Sequence, residues 1–181
     1  MGLLQPLPVA EGRWQRIGIN CITDLPVLGR GHDCVVTFAN HMTKRVHWRT
    51  CTITIDATAF ALIFNDDIVH LHGVPQEVVS DRDVRFTADY WREVARILKT
   101  KLLMSRAFHP KMDGLSEDSN KMVVRYLRAF ATHDQANWDD HLTQAEYTYN
   151  SSVHRSTKLT PFELDLGYES PLPLDLIADL Q

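Results

Sequence analysis

Asp81 and Glu117 are separated by thirty-five residues, the first in the run Ser80-Asp81-Arg82-Asp83 and the second just beyond His109-Pro110-Lys111-Met112-Asp113-Gly114. One follows what reads as a strand end and the other opens a helical pattern, a placement that lets two carboxylates converge on divalent metal. Carboxylate-held metal ions are what in-line attack on a phosphodiester requires, so the candidate chemistry is phosphoryl transfer on nucleic acid. Taken singly, the same residues have plainer roles. Asp81 suits a turn or a cap, and Glu117 is a first-turn acid favoured by the helix dipole. Asp83 and Asp113 read as loop acids satisfying nearby backbone amides.

The elements that must position this pair alternate in type. Arg16–Thr23 is a short apolar strand stopped by Asp24-Leu25-Pro26, and Gly29-Arg30-Gly31 is a turn. Cys34–Phe38 and Val46–Thr52 continue as β-branched and aromatic runs, which predicts a three-strand antiparallel meander. Ile55–Leu71 carries Ala59, Ile63, Asp66 and Asp67 at helical spacing and ends before Gly73-Val74-Pro75. Glu77–Ser80 is a brief strand, Ala88–Leu98 an amphipathic helix, and Lys101–Met104 a last strand, an order that predicts a mixed α/β fold. Ser105–Gly114 is a loop, after which Ser116 offers an N-cap and Met122, Val123, Tyr126, Leu127 and Phe130 form an apolar stripe. Glu117 then lies in the first turn of a long helix, with Asn120, Lys121 and Arg128 beside it. A further helix is expected over Trp138–Tyr149, a polar loop over Asn150–Lys158, and a short helix from Thr160-Pro161.

At 181 residues, 44% hydrophobic and 23% charged, the chain suits one globular domain with a real core. Nothing reads as a secretory signal, and no apolar run approaches the ~18 residues of a membrane span, so an intracellular, non-secreted and non-membrane protein is expected, nuclear if it acts on DNA. Cys21, Cys34 and Cys51 lack Cys-x-x-Cys spacing and read as reduced structural thiols. His70 and His72 have no paired cysteines at zinc-site spacing. A net charge of −4 argues against coating duplex DNA through bulk electrostatics, but the charge is uneven. Nine Lys or Arg face four acids between Arg92 and Arg128, whereas nine acids face two bases between His133 and Gln181. Either these are solvated helix faces of opposite sign, or the basic stretch is a nucleic-acid surface around Glu117.

Further motifs follow one another in order: Ile22-Thr23-Asp24-Leu25-Pro26, Met42-Thr43-Lys44-Arg45-Val46-His47, His72-Gly73-Val74-Pro75, Ser80-Asp81-Arg82-Asp83-Val84-Arg85-Phe86-Thr87, Ala107-Phe108-His109-Pro110, Asp113-Gly114, Tyr149-Asn150 and Thr160-Pro161-Phe162-Glu163. Together they resemble the integrase catalytic core of gypsy-type LTR retrotransposons, relatives of the retroviral integrases. The likeness covers 14–175, leaving 1–13 as the tail of an upstream linker in a longer polyprotein and 176–181 as a C-terminal tail. It implies a ribonuclease H-like α/β fold, a five-stranded mixed sheet flanked by helices. It also implies three acids binding two Mg²⁺ or Mn²⁺ ions that drive 3′-end processing and strand transfer. Expected partners are transposon-end and target DNA, and a second copy of the chain in a homodimer or higher oligomer.

Within that resemblance Asp81 matches the second acid and Glu117 the third, while Asn20 falls where the first belongs. A carboxamide is a neutral, weak ligand, and closely spaced hard cations need anionic oxygen. Impaired or absent activity is therefore expected, and the alternative is a non-catalytic nucleic-acid-binding or self-association module. Asp24 cannot substitute, because four residues along an extended strand carry it ~13 Å away. Ala39-Asn40-His41 and Pro110-Lys111-Met112-Asp113-Gly114 also depart from the usual Val-Asp-Arg and Pro-Gln-Thr-Asp-Gly. With the family fold, Lys99, Lys101, Arg106, Lys111, Asn120, Lys121 and Arg125 would face DNA, and Trp14, Trp48, Trp91 and Trp138 would anchor the core or a dimer interface.

Overall fold

The computed structural model describes residues 12–23, 25–27, 31–80, 94, 96, 101–104 by backbone, 121–125, 127 and 138–171. Five strands form one mixed sheet: β1 (Arg16–Ile22), β2 (Cys34–Asn40), β3 (Val46–Cys51), β4 (Glu77–Ser80) and β5 (Lys101–Met104), in the order β3-β2-β1-β4-β5. The first three make the expected antiparallel meander, and β4 and β5 add in parallel. Every residue of β2 is buried, because both faces of the sheet are covered. Cys34, Val36 and Phe38 pack with Ile17, Ile19, Phe60, Phe64 and Ile68 on one side. Val35 and Ala39 pack with Ile22, Trp48, Val123, Leu127 and Trp138 on the other. Cys34 and Cys51 are buried, Cys21 partly so, and none of the three is in a disulfide.

The helix after β3 starts later than its sequence pattern predicts, and its inward face differs. α1 spans Ala57–Phe64, with the Asp56 carboxylate capping the Ala59 amide at 2.8 Å. It runs through a π turn, Asn65–Val69, into His70–His72. Ala59 is exposed, and the buried positions are Phe60, Phe64 and Ile68. Spacings of four drift by about 40° per step on a 3.6-residue helix, so the stripe would rotate off the core. The wider π turn absorbs that drift and keeps Ile68 inside.

Strand β3 forms one edge of the sheet, and α2 (Leu142–Ser151), entered through a single 3₁₀ turn at Trp138–His141, covers it. Asn150 accepts from the Val46 amide and donates to the Val46 carbonyl, both at 3.0 Å, taking the place of a neighbouring strand. Two residues on, Glu146 accepts the Trp48 amide at 2.7 Å. An open edge would otherwise invite pairing with another chain. Tyr149 packs against Trp48, with ring centroids 5.6 Å apart. The Tyr149-Asn150 motif is thus an edge clip. Asn150→Ala leaves two buried backbone groups unpaired and should lower unfolding free energy by about 2–4 kcal/mol, read from urea titration.

At the same end of β3, Trp14 stacks on His72 at 3.7 Å between centroids and 4° between planes. His72 Nε2 lies 2.9 Å from His47 Nε2, whose Nδ1 is 3.0 Å from Glu146. Burial first, then His47 and Arg45, pull His72 down to about 4 against an opposing pull from Asp165. His41 is likewise pulled down to about 4 by burial, Lys44 and Arg16, with Glu77 opposing. Both imidazoles are neutral in the fold and accept protons more readily when unfolded. Their contribution is therefore complete above an unfolded value near 6.5 and is lost as pH falls towards 4. Since both rings are partly solvated, about 1–2 kcal/mol each is expected. Urea titrations at pH 7 and pH 4.5 should show that loss, and His72→Gln should reduce it.

Candidate functional site

The centre of the site is fixed by the pairing of β1 with β4. The two strands run parallel with rungs from Arg16↔Glu77 to Ile19↔Ser80, and Asn20 is the residue that follows Ile19 on β1. On its other side Asn20 pairs with Thr37 of β2. Ile17 and Ile19 point into one core cluster, while Ile22 packs in the second with Val123 and Leu127. Alternation along a strand puts Asn20 on the Ile22 side, the face covered by the helix that bears Val123 and Leu127. Asp81 follows Ser80 in sequence and Glu117 precedes Lys121 by four residues; both lie outside the described residues.

Asn20 is partly buried, and its Oδ1 accepts the amide of Cys21 at 2.7 Å. The oxygen that a cation would need is neutral and already engaged by the backbone. Among the described residues no cluster of three His, Cys, Asp or Glu could hold a metal ion. This donor does not suit a pair of hard divalent ions.

Of the expected DNA-facing residues, Lys121 and Arg125 are exposed on the helix. Lys101 pairs with Glu77 through the β4–β5 backbone. Lys99, Arg106, Lys111 and Asn120 lie outside the described residues. Met122, expected in the apolar stripe, is instead 40% exposed, whereas Val123 and Leu127 are buried. Trp14, Trp48 and Trp138 are core residues as expected, and Trp91 lies outside the described residues.

No family model matches the chain. The Tf2-3 transposon polyprotein of Schizosaccharomyces pombe is 30% identical over an alignment of 181 residues, covering 98% of this chain and 14% of the polyprotein. A chain of the simian T-cell lymphotropic virus intasome in complex with PP2A regulatory subunit B56 gamma superposes with a TM-score of 0.69 at 15% identity, covering 88% of this chain and 56% of that one. The HTLV-2 integrase catalytic core domain in complex with magnesium gives 0.64 at 13% identity, covering 84% and 96%. The chain is a homologue of Tf2 transposon polyproteins with an integrase-core fold. It spans a small part of the polyproteins it matches.

In this integrase-core fold the Thr160-Pro161-Phe162-Glu163 motif builds α3 (Pro161–Leu166). Thr160 caps the Glu163 amide at 3.0 Å, Glu163 returns to the Thr160 amide at 2.7 Å, and Pro161 occupies the first turn. Arg45 lies over the Phe162 ring, 5.3 Å from its centroid. Two residues past the motif, Asp165 is buried and was not legible as a key residue from sequence. Its Oδ1 accepts from Trp14 Nε1 at 2.9 Å and from Asn40 Nδ2 and Thr43 Oγ1 at 3.4 Å, while its Oδ2 takes Arg45 Nη1 at 2.5 Å. One carboxylate thereby ties the segment before β1 and the β2–β3 turn of the integrase core to α3.

Proposed function

We propose that the chain is the catalytic core of a retrotransposon integrase whose DNA-joining activity is impaired because Asn20 occupies the position of the first of three metal-binding acids. The observation that carries this reading is the β1–β4 ladder. Its last rung joins Ile19 to Ser80, and the residues that follow these two in sequence are Asn20 and Asp81. The helix over the Asn20 face carries Val123 and Leu127, and Glu117 lies on its N-terminal side in sequence. In the proposed site Asp81 and Glu117 are the anionic ligands. A pair of Mg²⁺ or Mn²⁺ ions supplies, in such a site, activation of water for 3′-end processing and of the 3′-OH for strand transfer. Asn20 would offer these ions no charge. What the chain's own residues contribute is a rigid parallel strand pair for alignment and the cations Lys121 and Arg125 for phosphate contact.

The proposed partners are transposon-end and target DNA together with further copies of the chain. The trimeric form of the HTLV-2 core supports the latter. DNA joining would place the protein in the nucleus. Among the described residues no helix is long and apolar enough to cross a membrane.

The engaged, uncharged Asn20 side chain also favours a second reading, in which the fold persists as a DNA-binding or self-association module without chemistry. Strand cleavage and joining on DNA ends, with Mg²⁺ or Mn²⁺, separates the two when the chain is compared with Asn20→Asp. Gain of activity in the variant supports the integrase site, and a folded, DNA-binding but inert variant supports the module.

A further inference from the structure

The exposure of Met122 has a counterpart across a small cavity. An open pocket of about 210 Å³ is lined by Met122, Tyr149, Ser152, Val153, His154 and Arg155. It lies between the helix that bears the DNA-facing Lys121 and Arg125 and the loop joining α2 to α3. Its volume is below the ~300 Å³ at which pockets for whole drug-sized ligands begin, so it suits a single flat group. Met122, Tyr149 and Val153 give it apolar walls, and Val153 is 66% exposed.

Among the described residues of the two segments that line the pocket, the charged groups are cations. Arg155 lines it, Arg125 lies one helical turn from Met122, and Lys121 adjoins Met122; all three cations are exposed. Lys158 is exposed in the same loop. Neither 121–125 nor 150–160 contains an acid, although the chain carries a net charge of −4. An apolar slot with cations on both rims matches a strand whose base leaves the stack while its phosphates stay bound.

We propose that this pocket seats one unstacked base of a DNA strand, with the adjoining phosphates held by Arg155 on one rim and by Lys121 and Arg125 on the other. The inference rests on the DNA-acting reading above and extends it to unpaired DNA and to the α2–α3 loop. Arg155 becomes a binding residue that the basic stretch between Arg92 and Arg128 does not include.

The test is fluorescence anisotropy of the 181-residue chain with a blunt duplex, the same duplex carrying a four-nucleotide unpaired extension, and an acidic peptide. The extended duplex is expected to bind about five- to tenfold more tightly than the blunt one. Ser152→Trp, which fills the pocket, should bring that ratio to about one. Arg155→Ala, an exposed change that spares the core, should lower affinity for the extended duplex and reduce the salt slope by about one. A 2-aminopurine in the extension should change emission on binding and cease to do so in Ser152→Trp. Equal affinity for blunt and extended duplexes overturns the pocket assignment and leaves the DNA reading standing. Binding to neither duplex overturns both, and tighter binding of the acidic peptide than of either DNA assigns the pocket to a protein partner instead.

Discussion

Asn20→Asp should raise the rate of Mg²⁺- or Mn²⁺-dependent strand cleavage by about three decades or more over the chain as it stands. The size follows from what one carboxylate supplies between two cations. Its loss removes several kcal/mol of metal and transition-state stabilisation, and each 1.36 kcal/mol is tenfold in rate. The fold offers no obstacle to the exchange, because aspartate is close to isosteric with asparagine. One carboxylate oxygen can keep the Cys21 amide that Asn20 now accepts at 2.7 Å, leaving the other for metal. A second readout separates metal binding from chemistry. Ligands that bind only the folded state raise its melting temperature by mass action, so Mn²⁺ should stabilise Asn20→Asp more than the original chain. Cleavage by the original chain within a few-fold of the variant would sink this account of Asn20.

The sequence pattern carried the strand order better than it carried the inward faces. The meander was legible because β1, β2 and β3 are short apolar runs separated by turn residues, and their antiparallel pairing needs only local connections. The inward face of α1 was less accessible. Ala59 and Ile63 are spaced like Phe60 and Phe64, so spacing alone does not choose between the two faces, and the π turn is what keeps a third four-residue step, to Ile68, inside. Asn20 was legible as a residue of β1, because its setting in that strand fixes its place whatever the residue type. Met122 was misassigned because the pattern of Val123 and Leu127 does not reveal where the helix meets the α2–α3 loop. The structural roles of Asn150 and Asp165 were hidden for a common reason. Their partners lie more than a hundred residues away, and no local period encodes a polar side chain that completes a distant strand or turn.

Asp165 carries the largest stability effect expected of a single side chain outside the apolar core. Removing one partner of a buried ion pair leaves the other charge uncompensated, which costs about 3–5 kcal/mol. Asp165→Ala does this to Arg45, whose side chain is 16% exposed, and strips the acceptor from buried Trp14 Nε1 as well. Asn40 and Thr43 lose the same partner in the β2–β3 turn. Asp165→Asn keeps the shape and one acceptor oxygen but removes the charge, so a smaller loss of about 1–3 kcal/mol is expected. The order Ala below Asn below the original chain in urea titration is the mark of an electrostatic tie rather than of packing. Because Trp14 also stacks on His72, loosening Asp165 should expose that ring to solvent, and Trp14 fluorescence should shift red in Asp165→Ala before the main unfolding transition. If Asn costs nothing while Ala does, the charge contributes nothing and the tie is one of ordinary neutral hydrogen bonds. The residues proposed to contact DNA, Lys121 and Arg125, are not among the partners Trp14 and Arg45 that Asp165 holds, so blunt-duplex affinity measured well below the melting temperature should change little while stability falls.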